Sequence, residues 1–92
     1  MQKNLKPTSA EVWSQTNCPA CTEAKRLLSN IGVEYSEKML GINGFTKKDL
    51  LDKVPTARSV PQIFLDGKYI GGLQELKREL AQYDYHQKVI VE

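Results

Sequence analysis

The chain has little of what builds metal centres or covalent staples: two cysteines and one histidine among 92 residues. Small secreted scaffolds rely on roughly four to eight cysteines, so a disulfide framework of that kind is excluded and the lone pair needs a chemical explanation. A closed structural zinc site takes four ligands, and beyond the cysteines only His86 and the carboxylates are on offer, the latter suited to harder ions. No resident metal is expected. An excess of charge of one sign is missing as well. Thirteen basic and eleven acidic residues leave a net +2, with the signs interspersed, which gives no footing for nucleic acid or a membrane surface. Met1 to Ala10 lacks the run of about 7 apolar residues that a secretory signal needs, and no stretch approaches the roughly 20 that span a bilayer. The expected location is the cytoplasm. Four prolines and six glycines are spread along the chain, so no segment reads as disordered, collagen-like or coiled-coil. What remains is a monomeric chain of one domain over 1–92, with its core over about 11–83 and a tail over 84–92.

Hydrophobic periodicity orders the elements. Glu11-Val12-Trp13-Ser14 is a short β-prone run, and Gln15-Thr16-Asn17 is a polar turn leading into Cys18. Pro19 suits a first helical turn, Ala24, Leu27, Leu28 and Ile31 recur at helical spacing, and Asn30 and Gly32 mark the stop. Val33 to Met39 alternates apolar and polar residues, as a strand with one face in water would. Thr46-Lys47-Lys48-Asp49 has the form of a capping box, with Leu50, Leu51 and Val54 on the apolar side of a short helix that ends before Pro55. Val60 to Leu65 and Lys68 to Ile70 form a hairpin around Asp66-Gly67, and Leu73, Leu76, Leu80, Ala81 and Tyr83 trace a third helix after Gly71-Gly72. The order β-α-β-α-β-β-α predicts an α/β fold in which a crossover builds a parallel pair and the hairpin adds antiparallel strands to the same sheet. Trp13, Tyr35, Phe45 and Phe64 read as core or rim packing, and Tyr69 as a flank of the groove.

The chemistry concentrates at Cys18-Pro19-Ala20-Cys21. Two sulfurs one turn apart, the first at a helix N-terminus, place Cys18 where unpaired amides and the helix dipole favour a thiolate, the form that attacks disulfides. Cys21 lies further inside the helix and can resolve a mixed disulfide. The same spacing also serves as half of a zinc site or as a structural pair. The ligand shortage speaks against the first, and the small stabilisation from closing so short a loop, lost in a reducing cytosol, against the second.

With these residues in view the chain resembles the glutaredoxins of the thioredoxin-like superfamily. Cys18-Pro19-Ala20-Cys21 follows the first strand, Ser59-Val60-Pro61 precedes the third, and Gly71-Gly72 follows the fourth, so the likeness spans nearly Glu11 to Tyr83. The resemblance implies a thioredoxin-like fold with a four-stranded mixed sheet packed by three helices. It implies a dithiol thiol-disulfide oxidoreductase with a redox-active Cys18–Cys21 disulfide, glutathione as co-substrate, no bound cofactor, and disulfide-containing proteins such as ribonucleotide reductase as clients. It implies a cis Val60-Pro61 bond, for which propensity alone gives about 5%, leaving the Val60 main chain to pair with an extended thiol peptide. The γ-glutamyl end of glutathione would meet Gly72 and the amides of Leu73 and Gln74. Its glycine carboxylate would meet Gln15 and Lys48, with Ser59, Val60 and Pro61 alongside and Arg58 adding positive potential. The chain departs from the family pattern at Ala20 for tyrosine, Ser59 for threonine, Gln15 for a basic residue, and Gln74-Glu75 for a pair that usually includes aspartate. Three alternatives stay open: a thioredoxin-like donor reduced by a flavoprotein reductase, an iron–sulfur module ligated by Cys18 and glutathione thiols, and a zinc-bridged interaction domain.

Overall fold

The structure is a computed structural model that describes residues 6–42 and 44–91. Its elements run β1 (Ser9–Ser14), α1 (Pro19–Asn30), β2 (Glu34–Met39), α2 (Lys47–Lys53), β3 (Gln62–Leu65), β4 (Lys68–Gly71) and α3 (Leu73–Val91). The four strands form one sheet in the order β2-β1-β3-β4. β1 and β2 are parallel, and β1–β3 and β3–β4 are antiparallel. This is the predicted thioredoxin-like arrangement.

The alternation of side chains along β1 divides the interior. Val12 faces α1 and α3, where Ala24, Leu28, Ile63, Leu76 and Leu80 close the larger core. Trp13 faces the other way and is covered by Leu50 of α2 and by Val54 just past its end, with Phe45 and Phe64 at its margin. Leu28, Ile63 and Leu76 are fully buried, each contributing about 1.5–3 kcal/mol of transfer free energy. The Trp13 and Phe45 rings meet edge to face at 5.8 Å, so the loop before α2 is anchored to the strand that leads to Cys18.

Local signals account for most boundaries. Thr46 Oγ1 accepts from the Asp49 amide at 3.1 Å, and Asp49 Oδ2 accepts in turn from the Thr46 amide at 2.9 Å. This is the anticipated capping box. Asp66 and Gly67 both take positive φ, +50° and +84°, as a two-residue hairpin turn requires. Four expectations need correction. β1 begins at Ser9, because Ser9 and Ala10 already pair with Glu34 and Tyr35 of β2. β2 does not alternate: Glu34, Tyr35 and Ser36 are exposed and Glu37 to Met39 half-buried, since an edge strand is covered on only part of its length. β3 starts at Gln62, two residues after the predicted start, since Pro61 has no N–H to give the ladder. The expected tail from Asp84 instead continues α3 to Val91; no glycine or proline interrupts the chain after Gly72.

Candidate active site

β1 delivers the chain to the site through Ser14, which is wholly buried. Its hydroxyl donates to Glu37 Oε2 at 2.6 Å, and Lys25 Nζ of α1 meets the same oxygen at 2.7 Å. The three residues tie the end of β1, the edge strand and α1 together directly beneath the turn that carries the cysteines. Burial by itself would raise the Glu37 carboxyl, but the bonds from Lys25 and Ser14 and the Lys25 charge outweigh it, and the group is held below the usual glutamate range.

Beyond Ser14 the exposed residues Gln15, Thr16 and Asn17 turn the chain, with Asn17 at φ +55°. Asparagine tolerates this left-handed region better than most residues. Cys18 is then the N-cap of α1, in extended conformation, with Pro19 opening the helix. The Cys21 amide donates to Cys18 Sγ at 3.1 Å, so the sulfur takes the place that a serine or aspartate oxygen takes in an ordinary cap. No acidic residue stands in the first turn of α1. Cys18 is half-buried and Cys21 is 2% exposed. The two are joined as a disulfide with Cα atoms 5.2 Å apart.

The Val60-Pro61 bond is cis, and Cys18 Sγ lies 3.9 Å from the Val60 carbonyl oxygen. Gln62 braces this turn: its Nε2 donates to the Ser59 carbonyl at 2.8 Å, and the Tyr69 hydroxyl donates to its Oε1 at 2.6 Å. Tyr69 thus supports the turn from behind, packed on Phe64 with centroids 5.4 Å apart, and does not line the groove beside Cys18. Gly72 abuts the same turn, where a Cβ would come within 3.2 Å of the Pro61 carbonyl oxygen. The neighbouring Gly71 has φ +121°, which an L side chain rarely adopts.

α3 begins immediately after this contact, and its first turn already holds a carboxylate. Glu75 Oε1 accepts from the Gly72 amide at 2.9 Å. Bonds from its own amide and that of Gly72 keep the Glu75 carboxyl below the usual range. Leu73 leans into the larger core, and Gln74 is exposed.

On the other side of Cys18 a groove of about 830 Å³ runs toward α2. Of the sequence-predicted residues, Gln15, Cys18, Ser59 and Val60 line it, and Arg58 joins them. Pro61, Gly72, Leu73 and Gln74 lie outside it, on the α3 side. Lys48 is not among the lining residues: its ammonium is exposed and lies 3.4 Å from Asp52 Oδ2, and the neighbouring Lys47 lines the groove. Successive helical residues are turned about 100° apart, so only one of two adjacent lysines can face a given wall. The signal was present in the spacing, because Lys47 shares a face with Leu50 and Leu51 at i+3 and i+4. The apolar wall of Leu40, Phe45 and Leu51 also escaped sequence reasoning, since it is assembled from a loop and a helix that only the fold brings together.

Comparison with known proteins agrees with this geometry. The glutaredoxin family model matches residues 10–70. Glutaredoxin 3 of Escherichia coli (strain K12) is 35% identical over 68 residues, covering 74% of this chain and 81% of its own length. Among solved structures, that of reduced Escherichia coli glutaredoxin superposes with a TM-score of 0.69 at 31% identity, covering 80% of this chain and 94% of the other. The structure of a buckwheat glutaredoxin–glutathione complex does so with 0.67 at 28% identity, covering 82% and 68%. Among the described residues no helix is long and apolar enough to cross a membrane. A Cys-x-x-Cys disulfide at the start of α1, beside a cis proline, on this sheet and with these relatives, makes the chain a member of the glutaredoxin family and a thiol-disulfide oxidoreductase.

Proposed function

We propose that the chain is a glutathione-dependent dithiol glutaredoxin that reduces protein disulfides and glutathione mixed disulfides in the cytoplasm. The observation that carries this reading is the asymmetry of the two sulfurs: Cys18 opens onto the groove with the Cys21 amide directed at it, and Cys21 is buried behind. A negative sulfur at position 18 is stabilised by that amide and by the α1 dipole.

The Cys18 thiolate attacks one sulfur of a client disulfide. The client S–S bond breaks, the other client sulfur leaves as a thiolate and takes a proton, and Cys18 is joined to the client. Cys21 then loses its proton and attacks Cys18 Sγ, releasing the second client thiol and leaving the Cys18–Cys21 disulfide. Two electrons have passed from the pair to the client. Two glutathione thiols return them, leaving as glutathione disulfide. A glutathionylated substrate needs Cys18 alone, because a second glutathione can take the place of Cys21. The disulfide of ribonucleotide reductase is a client of the required kind.

The buckwheat glutaredoxin complex supports glutathione as the co-substrate. In the pose we infer, the cysteinyl part lies along Ser59, Val60 and Pro61. The γ-glutamyl carboxylate approaches Gly72 and the amides of Leu73 and Gln74, and the glycine carboxylate approaches Gln15, Lys47 and Arg58. One observation favours a second reading, in which a flavoprotein reductase supplies the electrons: the Glu75 carboxylate at the start of α3 opposes a second anion there.

A coupled assay on a glutathione mixed disulfide and on a protein disulfide, with each electron source in turn, tests the proposal. Cys18→Ser is expected to lose both activities, and Cys21→Ser to lose only protein-disulfide reduction. Turnover by Cys18→Ser, or turnover with the reductase but not with glutathione, would overturn it.

A further inference from the structure

The turn that faces Cys18 is held by a side chain rather than by main chain. Ser59, Val60 and Pro61 precede β3, and among the described residues no main-chain hydrogen bond outside the helices and strands involves Arg58, Ser59, Val60 or Pro61. Gln62 supplies the tie. Its Nε2 donates to the Ser59 carbonyl at 2.8 Å, and its Oε1 accepts from the Tyr69 hydroxyl at 2.6 Å. The direction of this relay is fixed by chemistry: only the amide nitrogen can meet a carbonyl oxygen, so the amide oxygen faces Tyr69 and the hydroxyl must donate.

Sheet geometry brings the hydroxyl there. Gln62 and Phe64 point to the same face of β3. Tyr69 is paired with Phe64 and lies on its ring, with centroids 5.4 Å apart, and from that position its hydroxyl reaches Gln62 diagonally, two residues along β3. The register shifts at this point, since Ile63 pairs with Gly71 while Phe64 pairs with Tyr69, and a bulge of this kind re-aims the side chains beside it. Gln62 is 7% exposed and is, with Ser14, one of two buried polar residues among the described residues. It stands opposite Trp13 of β1, where an apolar side chain would pack without the cost of desolvating an amide. One of the two bonds that offset this cost ends on the turn beside Cys18.

We propose that Tyr69 and Gln62 are positioning residues for the oxidoreductase reaction: their relay to the Ser59 carbonyl holds the adjoining Val60 main chain ready to pair with an extended thiol substrate. This rests on the reading that substrate pairs with Val60 while Cys18 attacks, and it deepens that reading by naming what pre-organises the pairing. Neither residue lines the groove beside Cys18. Val60 sits between two restraints, the Gln62 bond at Ser59 and Gly72 set against the Pro61 carbonyl, and its own carbonyl oxygen is 3.9 Å from Cys18 Sγ. Ser59 is exposed, so without the relay its peptide units are free to turn toward water, and ordering them then counts against binding.

Two mixed disulfides test the relay, with no glutathione present and therefore independently of the electron source. A blocked extended peptide with one cysteine, and mercaptoethanol, are each joined to nitrothiobenzoate. The reduced Cys18 thiolate attacks the substrate sulfur, the S–S bond breaks, Cys18 is joined to the substrate, and coloured nitrothiobenzoate leaves with the electron pair. The peptide offers main chain to Val60, and mercaptoethanol offers none. Each rate is divided by the rate with free cysteine, which removes the intrinsic reactivity of the disulfide. Tyr69→Phe keeps the ring on Phe64 and removes only the hydroxyl. It is expected to lower the second-order rate constant for the peptide about three- to tenfold and to leave that for mercaptoethanol unchanged. The loss should appear as a higher half-saturating peptide concentration at an unchanged limiting rate, as lost binding does. Gln62→Met, of similar volume, should show at least the same loss, and adding Tyr69→Phe to it should lower the rate no further, because the hydroxyl then has nothing to act through. A peptide rate untouched by Tyr69→Phe, an equal loss for both disulfides, a loss confined to the limiting rate, or independent losses in the double variant would each overturn the relay. The unsubstituted protein tests the underlying reading separately. A peptide that reacts no faster than mercaptoethanol would refute pairing with Val60, and mercaptoethanol disulfide reacting no faster than with free cysteine would refute attack by Cys18 itself.

Discussion

Replacing Ser14 by alanine removes one hydroxyl from beneath the active-site turn, and the structure gives the size of the effect. Ser14 is wholly buried, and its bond of 2.6 Å goes to a carboxylate that also receives Lys25 at 2.7 Å. A hydrogen bond to a charged group contributes about 1.5–3 kcal/mol. The Glu37 side chain is 26% exposed, so water replaces part of the lost donor and the expected cost falls to about 1–2 kcal/mol. For a domain of this size that lowers the unfolding midpoint by roughly 5–10 °C. The loss must also depend on pH in one direction. The Glu37 carboxyl is held below its ordinary value in the folded protein, so the unfolded chain takes up its proton first as pH falls. Stability from this group is therefore complete above the unfolded glutamate value of about 4.3 and drains away below it, toward the folded value. The Ser14→Ala deficit should be full at neutral pH and shrink toward acid, and Glu37→Gln should flatten the acid limb of the stability curve. Urea unfolding of the three proteins across the acid range measures both effects. A Ser14→Ala deficit that is the same at neutral and acid pH, or an acid limb unchanged in Glu37→Gln, would refute the reasoning.

Two further outcomes are expected at the other edge of the site. Gly71→Ala should cost about 1–3 kcal/mol, read from the urea midpoint, because φ is +121° and the new methyl would fall 2.8 Å from Glu75 Cγ; an unchanged midpoint would contradict the assigned backbone. Glu75→Gln keeps an oxygen for the Gly72 amide but removes the negative charge from the α3 N-terminus. It should lower the KM for glutathione roughly two- to fivefold, and a KM that rises instead would show that the carboxylate assists binding.

Much of this protein was legible in the chain itself because the decisive signals are local. Pro19 after Cys18, the Thr46–Asp49 box and Asp66-Gly67 each specify a helix start or a turn through bonds within a few residues, and the periodicity of Ala24, Leu28, Leu76 and Leu80 identified the buried faces. The dithiol at a helix start followed from the same local reading. What the chain left open depends on contacts between distant segments. The Ser14–Glu37–Lys25 tie joins three elements. The nearness of Cys18 to the Val60 carbonyl spans 42 positions. The Lys47 side of α2 becomes a groove wall only once Leu40 and Phe45 are folded against Trp13. The adjacent Lys47 and Lys48 show the boundary well. Helical geometry says that the two lysines face different ways, but only the packing of α2 over the sheet decides which of them lines the groove.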